Sequence, residues 1–153
     1  MKPKLTFNYE YPPGERTKPP EERQGRKYPL LPVRFYNGDK KTPLLEGLID
    51  TGSDDILIPR ELADFLILPK LQDKSSTGMG GQFAVFKTKV GVIIGRGGRE
   101  FDLGVIEITA RTDIRDDPIL LGRYPIFHEF QLVIEEYLEK FHLIPKEVAW
   151  TKK

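Results

Sequence analysis

Between Tyr28 and Pro145 the apolar residues come in short runs broken by turn-forming residues, and no other feature of the chain constrains the fold as much. Val33 and Phe35 alternate with Arg34 and Tyr36, "NGDKKTP" supplies a turn, and Leu44 to Ile49 forms the next apolar strand. "FAVFKTKVGVII" and "REFDLGVIEI" are longer β-rich segments joined by Gly95-Arg96-Gly97-Gly98, which reads as a hairpin turn. Ile119 to Leu121 ends in Gly122, and "QLVI" and "FHLIP" frame "EEYLEK" as a closing hairpin. Helical spacing is confined to two places. "IPRELADFL" has Pro59 where a first turn tolerates it, with Leu62, Phe65 and Leu66 at i, i+3 and i+4; "RYPIFHEF" brings Ile126, Phe127 and Phe130 to one face. Many short strands with one or two short helices predict a mainly β fold, a closed or nearly closed barrel.

A chain of 153 residues can build about one such core and not two. Residues 1–27 are dense in charge and proline, with Pro12-Pro13 and Pro19-Pro20 as pairs, and read as an extended arm. Within it Leu5, Phe7 and Tyr9 alternate, so "KLTFNY" can add one edge strand or dock on a partner subunit. The domain proper is then 28–148, and 149–153 a frayed terminus. Lys plus Arg number 24 against 23 for Asp plus Glu, a balance that gives no reason to expect nucleic acid or an anionic membrane as partner. No run approaches the roughly 18 apolar residues of a spanning helix, and the first residues lack the apolar centre of a signal peptide; a soluble, cytoplasmic protein is expected. The absence of cysteine removes disulfides, thiol nucleophiles and thiolate metal sites together.

Leu48 and Ile49 lead straight into Asp50, and Ile56, Leu57 and Ile58 resume the apolar character after a short polar loop. A carboxylate at the end of such a run is costly unless something pairs with it. Phosphotransferases of the aspartyl-phosphate type place an Asp there but need a second carboxylate two residues on, where this chain has Gly52. The phosphate loop of sugar-kinase or actin-like nucleotide binders also fits "LIDTGS", yet it requires two large α/β lobes that this strand-rich length cannot supply. A third chemistry is peptide hydrolysis between two facing carboxylates that share one water, one accepting its proton and the other donating to the scissile carbonyl. An ordinary strand-to-turn transition is the plain structural alternative.

"LIDTGSDD", followed by "ILLGR" at Ile119 to Arg123, resembles the retropepsin-like (retroviral-type) aspartic proteases, especially their compact cellular and prokaryotic forms, over about Pro29 to Pro145. The resemblance implies a retropepsin-like barrel, a protein or peptide substrate, no metal and no cofactor. Asp50 would be the catalytic carboxylate, and aspartic proteases are the standard case of two such groups sharing one proton. The sequence holds one Asp-Thr-Gly, so the second carboxylate would be Asp50 of a two-fold partner in a homodimer. By the same resemblance Thr51 bonds across the two-fold axis, Ser53 supports the outer carboxylate oxygen, and Asp54 pairs with Arg123 while its backbone meets substrate. Leu120, Leu121 and Gly122 would pass behind the loop. Gly52 allows close approach of water and substrate. A flap is implied over "DKSSTGMGGQFAVF", with Gly78, Met79, Gly80 and Gly81 at its tip against substrate.

Other motifs have plainer readings. Gly95 to Gly98 lacks the following helix of a phosphate cradle, and "DIRDDP" lacks the spacing of a calcium loop and reads as solvated. His128 and His142 have no zinc-like neighbours in sequence. The resemblance therefore implies an aspartic endopeptidase. Its alternative is a dimeric peptide-binding or assembly module of the same fold with weak or absent turnover.

Overall fold

The computed structural model describes residues 4–78 and 81–146. Eleven strands are present among them: β1 Leu5–Asn8, β2 Leu30–Asn37, β3 Lys40–Lys41, β4 Leu45–Ile49, β5 Ile56–Ile58, β6 Gln72–Gly78, β7 Gly81–Arg96, β8 Arg99–Arg111, β9 Ile119–Leu121, β10 Phe130–Glu135 and β11 Lys140–Pro145. Three short helices join them: α1 Pro13–Arg16, α2 Arg60–Phe65 and α3 Ile126–Glu129. None is long and apolar enough to cross a membrane.

The larger sheet runs β3-β2-β4-β9-β5-β8-β7-β6, and a further pairing of β2 with β7 closes six of these strands into a barrel. Alternation explains its filling. Leu31, Val33 and Phe35 of β2, Val90, Val92 and Ile94 of β7 and Ile108 and Ala110 of β8 turn the same way and are all buried. The β7–β8 hairpin turns at Gly97-Gly98, both at positive φ, between the paired residues Arg96 and Arg99, the geometry that a two-residue hairpin turn demands. Two pairings are parallel: β4 with β9, which brings the residue before Asp50 beside Leu121, and β5 with β8, which sets Leu57 beside Thr109.

A second sheet, β1-β11-β10, packs against the barrel. Phe7 stacks on Phe141 with centroids 5.2 Å apart, and Phe130 meets Phe101 of β8 edge-on at 5.0 Å, which joins the two sheets. The segment expected as an extended arm thus enters the core through Leu5, Phe7 and Tyr9, all buried, and β1 pairs with β11 of its own chain. Its remainder is a loop closed at its base by the Glu10–Tyr28 bridge, and it carries α1, an element that alternation and periodicity do not announce. Pro13 starts that helix because a first helical residue needs no N–H partner.

α2 differs in one respect from its expected face. Leu66 and Ala63 are buried, whereas Phe65 is half exposed, with the Lys40 ammonium 5.3 Å above its ring. In a helix this short the buried stripe is set by which side rests on the barrel, and that side is Leu62, Ala63 and Leu66. The closing hairpin of β10 and β11 forms as expected, while Phe130 begins the strand and does not extend α3.

Candidate active site

β4 delivers Asp50 to the barrel rim. Its N–H donates to the Leu121 carbonyl at 3.0 Å, the last rung of the parallel β4–β9 ladder. The chain then turns: the Ser53 N–H donates to the Asp50 carbonyl at 3.1 Å, and the Gly52 N–H to Asp50 Oδ1 at 3.0 Å. The Asp50 side chain is consequently held from one side by backbone and is only half-buried.

Three consecutive N–H groups suspend the rest of the loop. Gly122 donates to the Asp55 carbonyl at 3.1 Å, Arg123 to the Ser53 carbonyl at 2.9 Å and Tyr124 to the Asp54 carbonyl at 2.8 Å. Such close stacking leaves no room at position 122. A Cβ there would lie 2.4 Å from the Asp55 carbonyl oxygen and 2.5 Å from that of Ser53, so the residue must be glycine. The sequence brought "LIDTGSDD" and "ILLGR" together only through resemblance; the structure joins them by backbone hydrogen bonds.

Side chains follow this frame. Arg123 and Asp54 form an ion pair at 2.5 Å, with both side chains largely exposed. Ser53 departs from its expected role: its hydroxyl donates to the Asp55 carbonyl at 3.1 Å, and Asp50 Oδ1 takes its hydrogen bond from Gly52. Thr51 is exposed and makes no hydrogen bond among the described residues. Gly78 and Gly81 pair where β6 and β7 meet, at the end of a protruding hairpin, while Met79 and Gly80 lie outside the described residues.

Sequence reasoning missed the partners of Asp55. Its Oδ2 accepts from Lys87 Nζ and from Thr109 Oγ1, each at 2.8 Å, and Lys87 also donates to Thr109 at 3.0 Å. Lys87 on β7 and Thr109 on β8 are opposite one another in register. Nothing in "FKTKVG" separates Lys87 from a solvated strand lysine, since only strand pairing places it. Asp113 and Asp117, read as part of a solvated loop, both face Arg111. His128 stands edge-on to Tyr124, and His142 bonds Thr6 and Glu135 on the terminal sheet.

A groove of about 1240 Å³ runs over the outer face of β2, β4 and β9. Leu30, Pro32, Leu48 and Pro118 give it an apolar wall, and Pro12 and Arg16 of the N-terminal loop close one side. Neither the 50–55 loop nor the described residues of the β6–β7 hairpin line it, so the groove lies beside β4 and apart from the Asp50 carboxylate. Arg16 fastens the N-terminal loop there through Glu46, at 2.8 and 3.0 Å to the two carboxylate oxygens.

The sequence matches no protein-family model and no curated protein. Among solved structures the chain is similar to a retropepsin-like aspartic protease from Rickettsia conorii, with a TM-score of 0.57 and 15% identity over 94% of this chain and 100% of that one. It is also similar to the EIAV protease complexed with an inhibitor, with a TM-score of 0.49 and 24% identity over 67% of this chain and 88% of that one. The fold is retropepsin-like.

Proposed function

We propose that the chain is an aspartic endopeptidase that works as a two-fold homodimer, each copy supplying Asp50. The observation that carries this reading is the position of Asp50: a half-buried carboxylate at the end of β4, fixed on a loop suspended by backbone hydrogen bonds, in a retropepsin-like fold. One barrel presents one such carboxylate, and water-mediated hydrolysis needs two in different protonation states. In the assembled pair, the ionised Asp50 takes a proton from water as its oxygen attacks the scissile carbonyl carbon. The protonated Asp50 gives its proton to the carbonyl oxygen. Collapse of the tetrahedral diol then breaks the C–N bond, and the leaving nitrogen recovers a proton from the carboxyl that took it.

In this reading Thr51 bonds across the axis to the partner's loop, and its exposure beside Asp50 supports that role. The β6–β7 hairpin is the flap that excludes water over the bound peptide. Asp54 and Arg123 brace the loop, with Gly122 beneath it.

Cleavage of a diverse peptide library by the wild type and by Asp50→Asn tests the reading, with and without a statine peptide that mimics the tetrahedral diol. Turnover by the wild type, blocked by the statine and lost in Asp50→Asn, is expected; cleavage at wild-type rate by the variant would refute it.

One observation favours the second reading, a dimeric peptide-binding module without turnover. Pro12 and Arg16 occupy one side of the groove, and Arg16 is latched to Glu46. A peptide that binds with the same affinity to wild type and Asp50→Asn, and is recovered intact, would select that reading.

A further inference from the structure

β8 ends at Arg111, where the β6–β7 hairpin parts from the barrel. β7 remains paired with β8 down to Val85 opposite Arg111, and one further backbone bond, from the Thr112 N–H to the Ala84 carbonyl at 3.1 Å, completes the junction. Beyond it Gln82 and Phe83 pair only with β6, itself the last strand of the sheet. Arg111 therefore sits at the root of the hairpin.

Arg111 is 5% exposed, unusual for a guanidinium, which is costly to bury without compensation. Its carbon Cζ lies 4.1 Å from the centroid of the Phe83 ring on the hairpin side. On the other side Nε lies 3.1 Å from Asp117 Oδ2 and 3.6 Å from Asp113 Oδ1. Nε lacks the alignment of a hydrogen bond, so the attraction to these carboxylates is Coulombic. The loop carrying them is fastened in turn: Arg60 donates to the Thr112 carbonyl at 2.6 Å, and Arg115 pairs with Asp113 at 3.0 Å. That loop leads into Pro118, which lines the groove. One buried cation thus touches both the root of the hairpin and the loop that continues as the groove wall.

We propose that Arg111 is a positioning residue that clamps the stem of the β6–β7 hairpin to the 113–117 loop, and so fixes the angle at which the hairpin leaves the barrel to cover an extended peptide. The inference rests on the peptidase reading and adds the part that sets peptide affinity. A leucine or methionine would fill the same space. The guanidinium alone offers a planar face to Phe83 while holding charge toward two carboxylates. Because Arg111 touches no reacting atom, its loss should act on peptide binding and leave the chemical step alone.

The test uses Arg111→Met, which keeps length and loses charge, Phe83→Leu, and the double variant. Hydrogen exchange on the full chain reads the clamp without any need for activity. Amides of 72–78 and 82–84 should exchange roughly tenfold faster in either single variant, and no faster still in the double, because one contact is lost in all three. Amides of β2, β4 and β9 should be unchanged. With a cleaved peptide, KM should rise about tenfold while kcat stays within about twofold, and Arg111→Lys should recover part of the loss. Unchanged hairpin exchange in Arg111→Met overturns the proposal. So does a loss spread evenly over the barrel with kcat, KM and melting temperature falling together, which marks a packing role. If the wild type cleaves no peptide yet the hairpin loosens as described, the clamp stands and the peptidase reading alone falls.

Discussion

The Lys87 ammonium lies 2.8 Å from Asp55 Oδ2, and through this contact β7 holds the loop that carries Asp50. Both side chains are less than a quarter exposed, so the pair is sheltered from much of the screening that weakens surface ion pairs. Thr109 donates to the same oxygen, which completes the solvation the carboxylate gave up. Lys87→Met should leave Asp55 with one partner and lower stability by about 1.5–3 kcal/mol, the range for a lost hydrogen bond to a charged group. Urea denaturation of wild type, Lys87→Met, Asp55→Asn and the double variant measures it. A coupling near zero would show that the contact is incidental to the loop.

Gly122 is the stricter requirement. An added methyl group at that position meets two backbone carbonyl oxygens, which cannot swing aside as the end of a side chain could. Gly122→Ala must either push the 50–55 loop away from β9 or break the bonds that suspend it. A stability loss of about 1–3 kcal/mol is expected from overpacking, together with loss of turnover because Asp50 moves. Urea denaturation and the peptide assay check both. A stable, active Gly122→Ala protein would mean that the loop is held by something other than the backbone stacking described above.

Asp54 and Arg123 make the opposite case. Three backbone hydrogen bonds already position the loop, and the ion pair is largely exposed. Exposed pairs contribute little to folding. Asp54→Asn should therefore melt within a degree or two of wild type. On the proposed reading its effect should appear in peptide KM or in the dimer dissociation constant, by analytical ultracentrifugation, because an exposed charge on the loop that carries Asp50 would be available to substrate or to a second copy. A large drop in melting temperature with unchanged KM and unchanged dimerisation would contradict this division of labour.

What the sequence made legible follows from the range of the interactions. Alternation within β2, β7 and β8 and the Gly97-Gly98 turn are local properties, and the barrel strands lie where the apolar runs predict. Pairing between distant segments has no such signature. The parallel β4–β9 rung that places Asp50, the Lys87–Asp55 contact and the burial of Arg111 each depend on register across strands, so Lys87, Asp55 and Arg111 look like ordinary polar residues in sequence, and Asp50, though marked by its motif, has no visible partner strand. Phe65 was misplaced for a related reason: periodicity defines a stripe, and the neighbouring barrel decides which edge of the stripe is covered. The loop beyond β1 carries too little apolar pattern to announce α1, which rests on a proline start and on Arg16 reaching Glu46.

The terminal sheet has an acid-sensitive joint of its own. His142, buried on β11, lies 2.9 Å from Thr6 Oγ1 on β1 and 2.5 Å from Glu135 Oε1 on β10, so one imidazole ties three strands. The hydrogen bond with His142 holds the Glu135 carboxyl below its ordinary value of 4.5. A carboxyl whose folded value is depressed contributes stability above its unfolded value and loses it as pH falls through the folded one. Glu135→Gln should thus melt below wild type at pH 7, and the two melting curves should draw together as pH drops below 4.5. Glu135 is accessible to solvent, so the separation should be small and should shrink further in high salt. Thermal melts of both proteins at a series of pH values check this. A separation that stays constant from neutral pH to well below 4.5 would show that Glu135 acts through packing and not through its charge.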